Sequence, residues 1–208
     1  MLAVIFDMDG VLVDNSRFHA RAFAEYFSQH GITFTPDMFG RSNEDLMALF
    51  FPNENEKRHQ ELADGKEMYY RQIYEPHIKP VTGLIDLLEE LKKNNIPIAV
   101  GTSAPIENID FVLDKLQIRH YFDVVVVAAM VQKAKPAPDI YLKSAELLKM
   151  KPGDCLVFED ALAGIKAARA AGMKVVGVAT SLPKEKLTET NKIINDFTEI
   201  TVTEIKQM

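Results

Sequence analysis

The 208-residue chain has a single cysteine, no long apolar run and no surplus of basic side chains. Each shortage closes off a class of protein. With Cys155 alone, no intrachain disulfide can form, and the chain suits a reducing compartment. No stretch approaches the roughly 20 apolar residues that span a bilayer. The 24 Lys and Arg fall short of the 30 Asp and Glu, for a net charge of -6. That argues against a nucleic-acid partner, because neutralising backbone phosphates takes a basic face. The N-terminus lacks the basic segment of a secretory signal, and Asp7 interrupts its apolar run too early for one. Repeats of solenoid period and low-complexity segments are also missing. A cytoplasmic enzyme or binding protein is what remains. At 47% hydrophobic and 26% charged residues the chain has an ordinary globular balance, enough for one sizeable domain or a core with a small insert.

What is present begins with Leu2-Ala3-Val4-Ile5-Phe6, an apolar run too short for a helix that ends in Asp7-Met8-Asp9-Gly10. Such a run fits a strand buried on both faces of a parallel sheet. Open α/β folds place their chemistry beyond the carboxyl ends of such strands. Residues i and i+2 of an extended chain point the same way, so Asp7 and Asp9 can share a site, and Gly10 lets the backbone turn away. Taken alone, the motif reads equally as a strand followed by an acidic turn.

Two kinds of pattern follow. Residues 15–30 carry a helical stripe (Phe18, Ala22, Phe23, Tyr26, Phe27) closed by Gly31. Ser42-Asn43-Glu44-Asp45 reads as a capping box before Leu46–Phe51, and residues 54–75 form a charged helical stretch. Phe50, Phe51, Tyr69 and Tyr70 read as the packing core of this helical block. From residue 81 helices and strands alternate: strands are expected at 96–100, 124–127, 155–158 and 175–178, with helices at 84–91, 106–117, 138–149 and 161–171, and a further short strand at Ile193-Ile194. This is the grammar of a doubly wound parallel sheet. The expected architecture is α/β, a Rossmann-like parallel core made of 1–14 and 81–208 with an all-helical insert at 15–80. Cys155, inside a strand, reads as a small buried apolar residue rather than a nucleophile.

Three further loops can carry chemistry, each with a plainer reading beside it. Thr102 and Ser103 follow the second strand, where a hydroxyl and a helix N-terminus can bind phosphate or the hydroxyl can simply cap the helix. Lys135 lies in Lys135-Pro136-Ala137-Pro138-Asp139, where a solvated lysine is the usual case. Glu159-Asp160 end the fourth strand before a small-residue helix that they could serve as N-cap and first-turn acid.

Asp7-Met8-Asp9-Gly10-Val11-Leu12-Val13-Asp14 resembles the first motif of the haloacid dehalogenase-like phosphotransferase superfamily. Thr102, Lys135-Pro-x-Pro-Asp139 and Glu159-Asp160 resemble its second, third and fourth motifs, in order across the core. The resemblance implies a nucleophile at Asp7, a general acid/base at Asp9, phosphate binding by Thr102, Ser103 and Lys135, and Mg²⁺ held by Asp7, the Asp9 carbonyl, Asp160 and, directly or indirectly, Glu159. It also implies that the helical insert is a cap domain. A set of oxygen ligands suits Mg²⁺, and an aspartate attacking an anionic phosphoryl group needs the cations to offset repulsion.

Order and spacing are similar to the β-phosphoglucomutase-like branch, including His19 and Lys66 in the cap helices as substrate contacts. Two departures separate the chain from a mutase. Asn15 stands where the mutase pattern has Thr, and Asn43 stands where mutases carry an arginine for a second phosphate, with Arg41 two residues earlier. The expectation is therefore a Mg²⁺-dependent phosphatase of a small phosphorylated metabolite, a sugar phosphate first, with the phosphomutase as alternative. A receiver-type phosphoacceptor module is a remote rival, disfavoured by the +2 acid Asp9 and the insert after strand one. A metal-free dehalogenase would lack Asp9.

Overall fold

Six short apolar segments form one parallel sheet in the structure, a computed structural model that describes residues 2–35 and 43–208. The strands are β1 (Ala3–Phe6), β2 (Ile98–Gly101), β3 (Val124–Val126), β4 (Cys155–Glu159), β5 (Lys174–Val178) and β6 (Lys192–Ile194). Their order is β3-β2-β1-β4-β5-β6, parallel throughout. The chain winds to one side of β1 through β2 and β3, then to the other through β4 to β6. The order in which strands are added thus reverses between β1 and β4, and at such a switch point the loops beyond the strand ends part to leave a crevice.

Why these runs read as continuous rather than alternating is plain from their two faces. Ala3, Ile5, Cys155, Val157 and Val175 pack into one buried cluster with Ile140, Ala145, Ile165 and Ala168, from the helices α6 (Asp139–Leu147) and α7 (Leu162–Ala170). On the opposite face Phe6 stacks on Phe158 at 4.9 Å, with Phe197 and Phe122 against them. The central strands β1, β2 and β4 are covered on both sides, so both parities are apolar. Cys155 is buried among these, and burial pushes its thiol up to about 11, the state of an inert packing residue.

The remaining core helices are α4 (Leu84–Lys93), α5 (Ile106–Lys115) and α8 (Val202–Gln207). α4 is the clearest amphipathic element, burying Leu84, Leu87, Leu88 and Leu91 at helical spacing. α8 opens with a capping box between Thr201 and Glu204.

The chain divides into two units, Met1–Asp14 with Lys79–Met208, and Asn15–Ile78. The second unit contains α1 (Ser16–Ser28), α2 (Asn43–Phe50) and α3 (Glu56–Tyr74), and no strand among its described residues. Its core is Phe27, Leu46, Met47, Leu62 and Ala63, with Phe50 and Phe51 against Phe27 at ring distances of 5.0 and 6.3 Å. Tyr69 departs from the expected packing core. It is half-buried, and its hydroxyl donates to Glu25 Oε2 at 2.5 Å. Asn55 caps α3 by accepting from the Arg58 amide. The capping serine expected for α2, Ser42, lies outside the described residues, and α2 begins at Asn43.

Candidate active site

Parallel pairing brings the chemical residues to one edge. Phe6 lies level with Val100 and with Phe158, so the next residues, Asp7, Gly101 and Glu159, stand side by side, and Thr102 and Asp160 one step further. Side-chain parity continues past the strand ends. Ala3, Ile5 and Asp7 alternate to the face covered by α6 and α7, as do Cys155, Val157 and Glu159. The two carboxylates therefore meet over a helical face, not in open water.

Lys135 joins them. Its Nζ lies 2.8 Å from Asp7 Oδ1 and 2.7 Å from Glu159 Oε1, with only 8% of the side chain exposed. The loop that carries it is pinned by Asp139, whose carboxylate accepts from the Lys133 amide at 3.2 Å. Glu159 is held on every side. Oε1 also accepts from the Tyr141 hydroxyl at 2.6 Å, and Oε2 from the amides of Asp160 and Ala161 at 3.0 and 3.2 Å. Its carboxylate occupies the space a side chain at Gly164 would fill, for a Cβ there would sit 1.6 Å from Oε1.

Asp160 stands across the site, 5% exposed, with its carboxylate hydrogen-bonded to Ser181. A Cβ on Gly10 would fall 1.9 Å from Asp160 Oδ2, and Gly10 has φ +74°, so both space and backbone require glycine. Thr180 donates to the Gly10 carbonyl. Asp9 is half-buried in this turn, close enough that its charge raises the Asp7 pKa. β1 ends at Phe6, and the chain beyond it closes into a turn over Met8–Val13, with the Leu12 amide bonded back to the Met8 carbonyl.

Thr102 is buried, and its Oγ1 accepts from the Ala104 amide at 3.1 Å; that contact leaves its O–H proton to donate. The capping alternative is not what the structure shows. α5 has Pro105 at its N-cap, and no side chain caps it. Nor do Glu159 and Asp160 cap α7, whose N-cap is Ala161. Ser103 is exposed.

Oxygen atoms of Asp7, Glu159 and Asp160 lie within 4.8 Å of one another, all three residues buried. Among the described residues only Lys135 forms an ion pair with them. If all three are ionised, the cluster carries two surplus negative charges in a desolvated place. The titration behaviour follows. Burial, and then Glu159 and Asp9, push Asp7 up to about 7 against the pull of Lys135. Burial and the charges of Glu159 and Asp7 raise Asp160 well above the usual carboxylate range. Lys135 is itself raised: burial acts against its charge, but Asp7 and Glu159 more than offset that. An all-oxygen donor set with two unbalanced charges fits a hard divalent cation.

A second polar cluster lies in the helical unit. Lys66 is buried and ion-paired with Glu67, and its ammonium stands 4.0 Å from the centre of the Phe23 ring. Asn43 donates to Glu67 Oε1 at 2.7 Å. Burial pushes Glu67 up, but Lys66, His19 and the bonds from Lys66 and Asn43 hold it below the ordinary range. His19 stacks on Tyr70 at 3.8 Å, and the Tyr70 hydroxyl accepts from Asn15 at 2.6 Å. Arg41 lies outside the described residues.

Sequence reasoning missed Tyr141, Ser181, Thr180 and Glu67. Tyr141 reads as one more apolar residue in the α6 stripe, and only its hydroxyl hints otherwise. Thr180-Ser181 follow β5 at the sheet edge that carries the other motifs, a usable signal. Glu67 is lost in a helix full of charge.

Fold and site define an α/β enzyme with a buried carboxylate–lysine centre at the carboxyl edge of its sheet. The chain belongs to the haloacid dehalogenase-like hydrolase family, whose model matches residues 4–178. It is 34% identical over 180 residues to a fructose-1-phosphate phosphatase from Escherichia coli (strain K12), covering 84% of this chain and 95% of that one. It is 35% identical over 196 residues to a β-phosphoglucomutase from Bacillus subtilis (strain 168), covering 88% and 85%. A HAD hydrolase of family IA, variant 3, from Entamoeba histolytica superposes with a TM-score of 0.91 at 32% identity, over 100% of this chain and 98% of that one. The chain is thus a phosphoric monoester hydrolase, or the related phosphomutase, of the β-phosphoglucomutase-like branch. No helix among its described residues is long and apolar enough to cross a membrane.

Proposed function

We propose that this enzyme is a Mg²⁺-dependent phosphatase acting on a small phosphorylated metabolite, with sugar phosphates the first class to test. The observation that carries the reading is the Lys135–Asp7 ion pair beside Glu159 and Asp160 at the switch point of the sheet. Asp7 attacks phosphorus and becomes an aspartyl-phosphate. Asp9 protonates the leaving oxygen and then takes a proton from the water that releases phosphate. Thr102 donates its hydroxyl to a phosphoryl oxygen, with Ser103 beside it, and Lys135 offsets the charge on another. Asp7, Asp160 and the Asp9 carbonyl are the groups that would hold Mg²⁺, whose charge balances the buried carboxylates and lowers the repulsion met by an anionic substrate. Glu159, with both oxygens occupied by Lys135, Tyr141 and two amides, serves this centre by fixing the lysine.

His19, Lys66 and Arg41 are the proposed cap contacts to the substrate. Hydrolysis is favoured over mutation by the charge of this cluster. A mutase must hold a second phosphate, which calls for a dedicated cation, best an arginine with its bidentate fork. Here Asn43 stands in its place and is tied to Glu67, and the charge of Lys66 is already matched by Glu67, which leaves Arg41 as the cation a mutase would have to use. A substrate whose far end is neutral and hydroxylated suits such a cluster better than a bisphosphate. The test is phosphate release from a panel of sugar and small-metabolite phosphates, beside incubation with β-glucose 1-phosphate, Mg²⁺ and a trace of glucose 1,6-bisphosphate. Phosphate release should dominate. Glucose 6-phosphate forming much faster than inorganic phosphate would establish the phosphomutase instead.

A further inference from the structure

We propose that Tyr141 is a positioning residue that keeps Lys135 shared between Glu159 and Asp7. The inference rests on the phosphatase reading for the role of Lys135 and on geometry for the rest. Tyr141 sits in the first turn of α6, fully buried, and its ring belongs to the apolar cluster under β1 and β4. A phenylalanine would fill that place as well, so the hydroxyl needs a reason. Its partner is Glu159 Oε1 at 2.6 Å, the same oxygen that accepts from Lys135 at 2.7 Å. The ring lies beside the ammonium as well, with Nζ 4.8 Å from its centre.

Glu159 has no room to swing. Two backbone amides hold Oε2, and the carboxylate fills the notch that Gly164 leaves. Oε1 is therefore a fixed acceptor with two lone pairs, one for the neutral hydroxyl and one for the ammonium. The hydroxyl draws charge from that oxygen and so limits its hold on Lys135. The other reach of the ammonium, 2.8 Å to Asp7 Oδ1, places it where an incoming phosphoryl group meets the nucleophile. Delete the hydroxyl, and a buried carboxylate lone pair loses its donor. Lys135, already bonded to that oxygen, would be drawn toward Glu159 and away from Asp7.

Tyr141→Phe isolates the hydroxyl, since the ring and its packing stay. Three quantities are measured: melting temperature, calorimetric affinity of the Mg²⁺-loaded protein for inorganic phosphate, and kcat and KM on the best ester. Phosphate affinity and kcat/KM should each fall about tenfold, the size of one net hydrogen bond, with melting nearly unchanged. In a Glu159→Gln background the same substitution should change phosphate affinity less than about twofold, because the tyrosine acts through that carboxylate. Lys135→Met is the second background, with the same expectation, should Glu159→Gln fail to fold. Phosphate affinity and kcat/KM within about twofold of the parent would overturn the proposal, as would a full loss retained in whichever background folds or a lowered melting temperature alone. A parent protein that hydrolyses esters while Tyr141→Phe is silent removes only this inference. A parent that neither binds phosphate nor hydrolyses any ester removes the function reading, and this one with it.

Discussion

With EDTA to keep the proposed metal site empty, three buried carboxylates face one lysine, and the cost of that arrangement depends on pH in a direction the site dictates. Asp7 is raised from 3.8 to about 7. Between those values the folded site holds a proton that the unfolded chain has released. Stability contributed by the site must then fall as pH rises through that window, with the penalty complete above about 7. About three pKa units at ~1.4 kcal/mol each set an upper bound of about 4 kcal/mol. Asp160 is raised by the same causes and adds to the penalty with the same sign. Lys135, raised from an already high value, titrates outside the window. Bound metal takes the place of the proton, because its ligands must be deprotonated. The gain from Mg²⁺ should therefore be small near pH 5 and several kcal/mol near pH 8. Urea unfolding midpoints with EDTA and with Mg²⁺, at four pH values across that range, measure it. Asp7→Asn, which removes the titrating group, should flatten much of the difference. A Mg²⁺ stabilisation equal at both ends of the range would refute the reasoning, since it would mean that no proton is displaced from the site.

Asp7→Asn should also abolish turnover with the fold intact, because an amide of nearly the same size replaces the proposed nucleophile; trapping with labelled substrate should find no phosphoenzyme, and surviving turnover would remove the aspartyl-phosphate mechanism. Gly164→Ala drives a methyl to 1.6 Å from Glu159 Oε1, so Glu159 or α7 must shift. A loss of about 1–3 kcal/mol in urea unfolding is expected, as for overpacked cores, together with reduced kcat/KM; unchanged stability and activity would show that Glu159 does not occupy that notch.

The sheet was legible because both faces of its central strands are buried, which makes each of them a nearly unbroken apolar run at the pitch of a βα unit. That the candidate site residues meet at one edge has a related reason. In a parallel sheet every strand delivers its last residue to the same edge, so short polar motifs after apolar runs converge whatever lies between them. Asp7, Thr102 and Asp160, spread over more than 150 residues, follow three adjacent strands for this reason alone. Tyr141 was not legible because its position obeys the helical stripe and its function sits in one atom at the end of an apolar ring. Thr180 and Ser181 follow the rule of the strand ends and could have been found by it.

The helical unit obeys a different logic. Its helices were visible in spacing and breakers, yet its charges were not, because a helix repeats every 3.6 residues and neighbours in sequence point apart. Lys66 and Glu67 are adjacent and form a buried ion pair all the same, with Asn43 reaching Glu67 from α2. Counting residues along the chain gives Lys66 a positive charge to offer a substrate; counting partners in space takes most of that charge away. On the proposed reading the identity of residue 43 bears on function twice, since an arginine there would have supplied both a second cation and a partner for Glu67, whereas asparagine supplies only a hydrogen bond. On the proposed reading, a lysine already paired with Glu67 and an asparagine at residue 43 suit hydroxyls better than a second phosphate, and that preference would favour water as the acceptor.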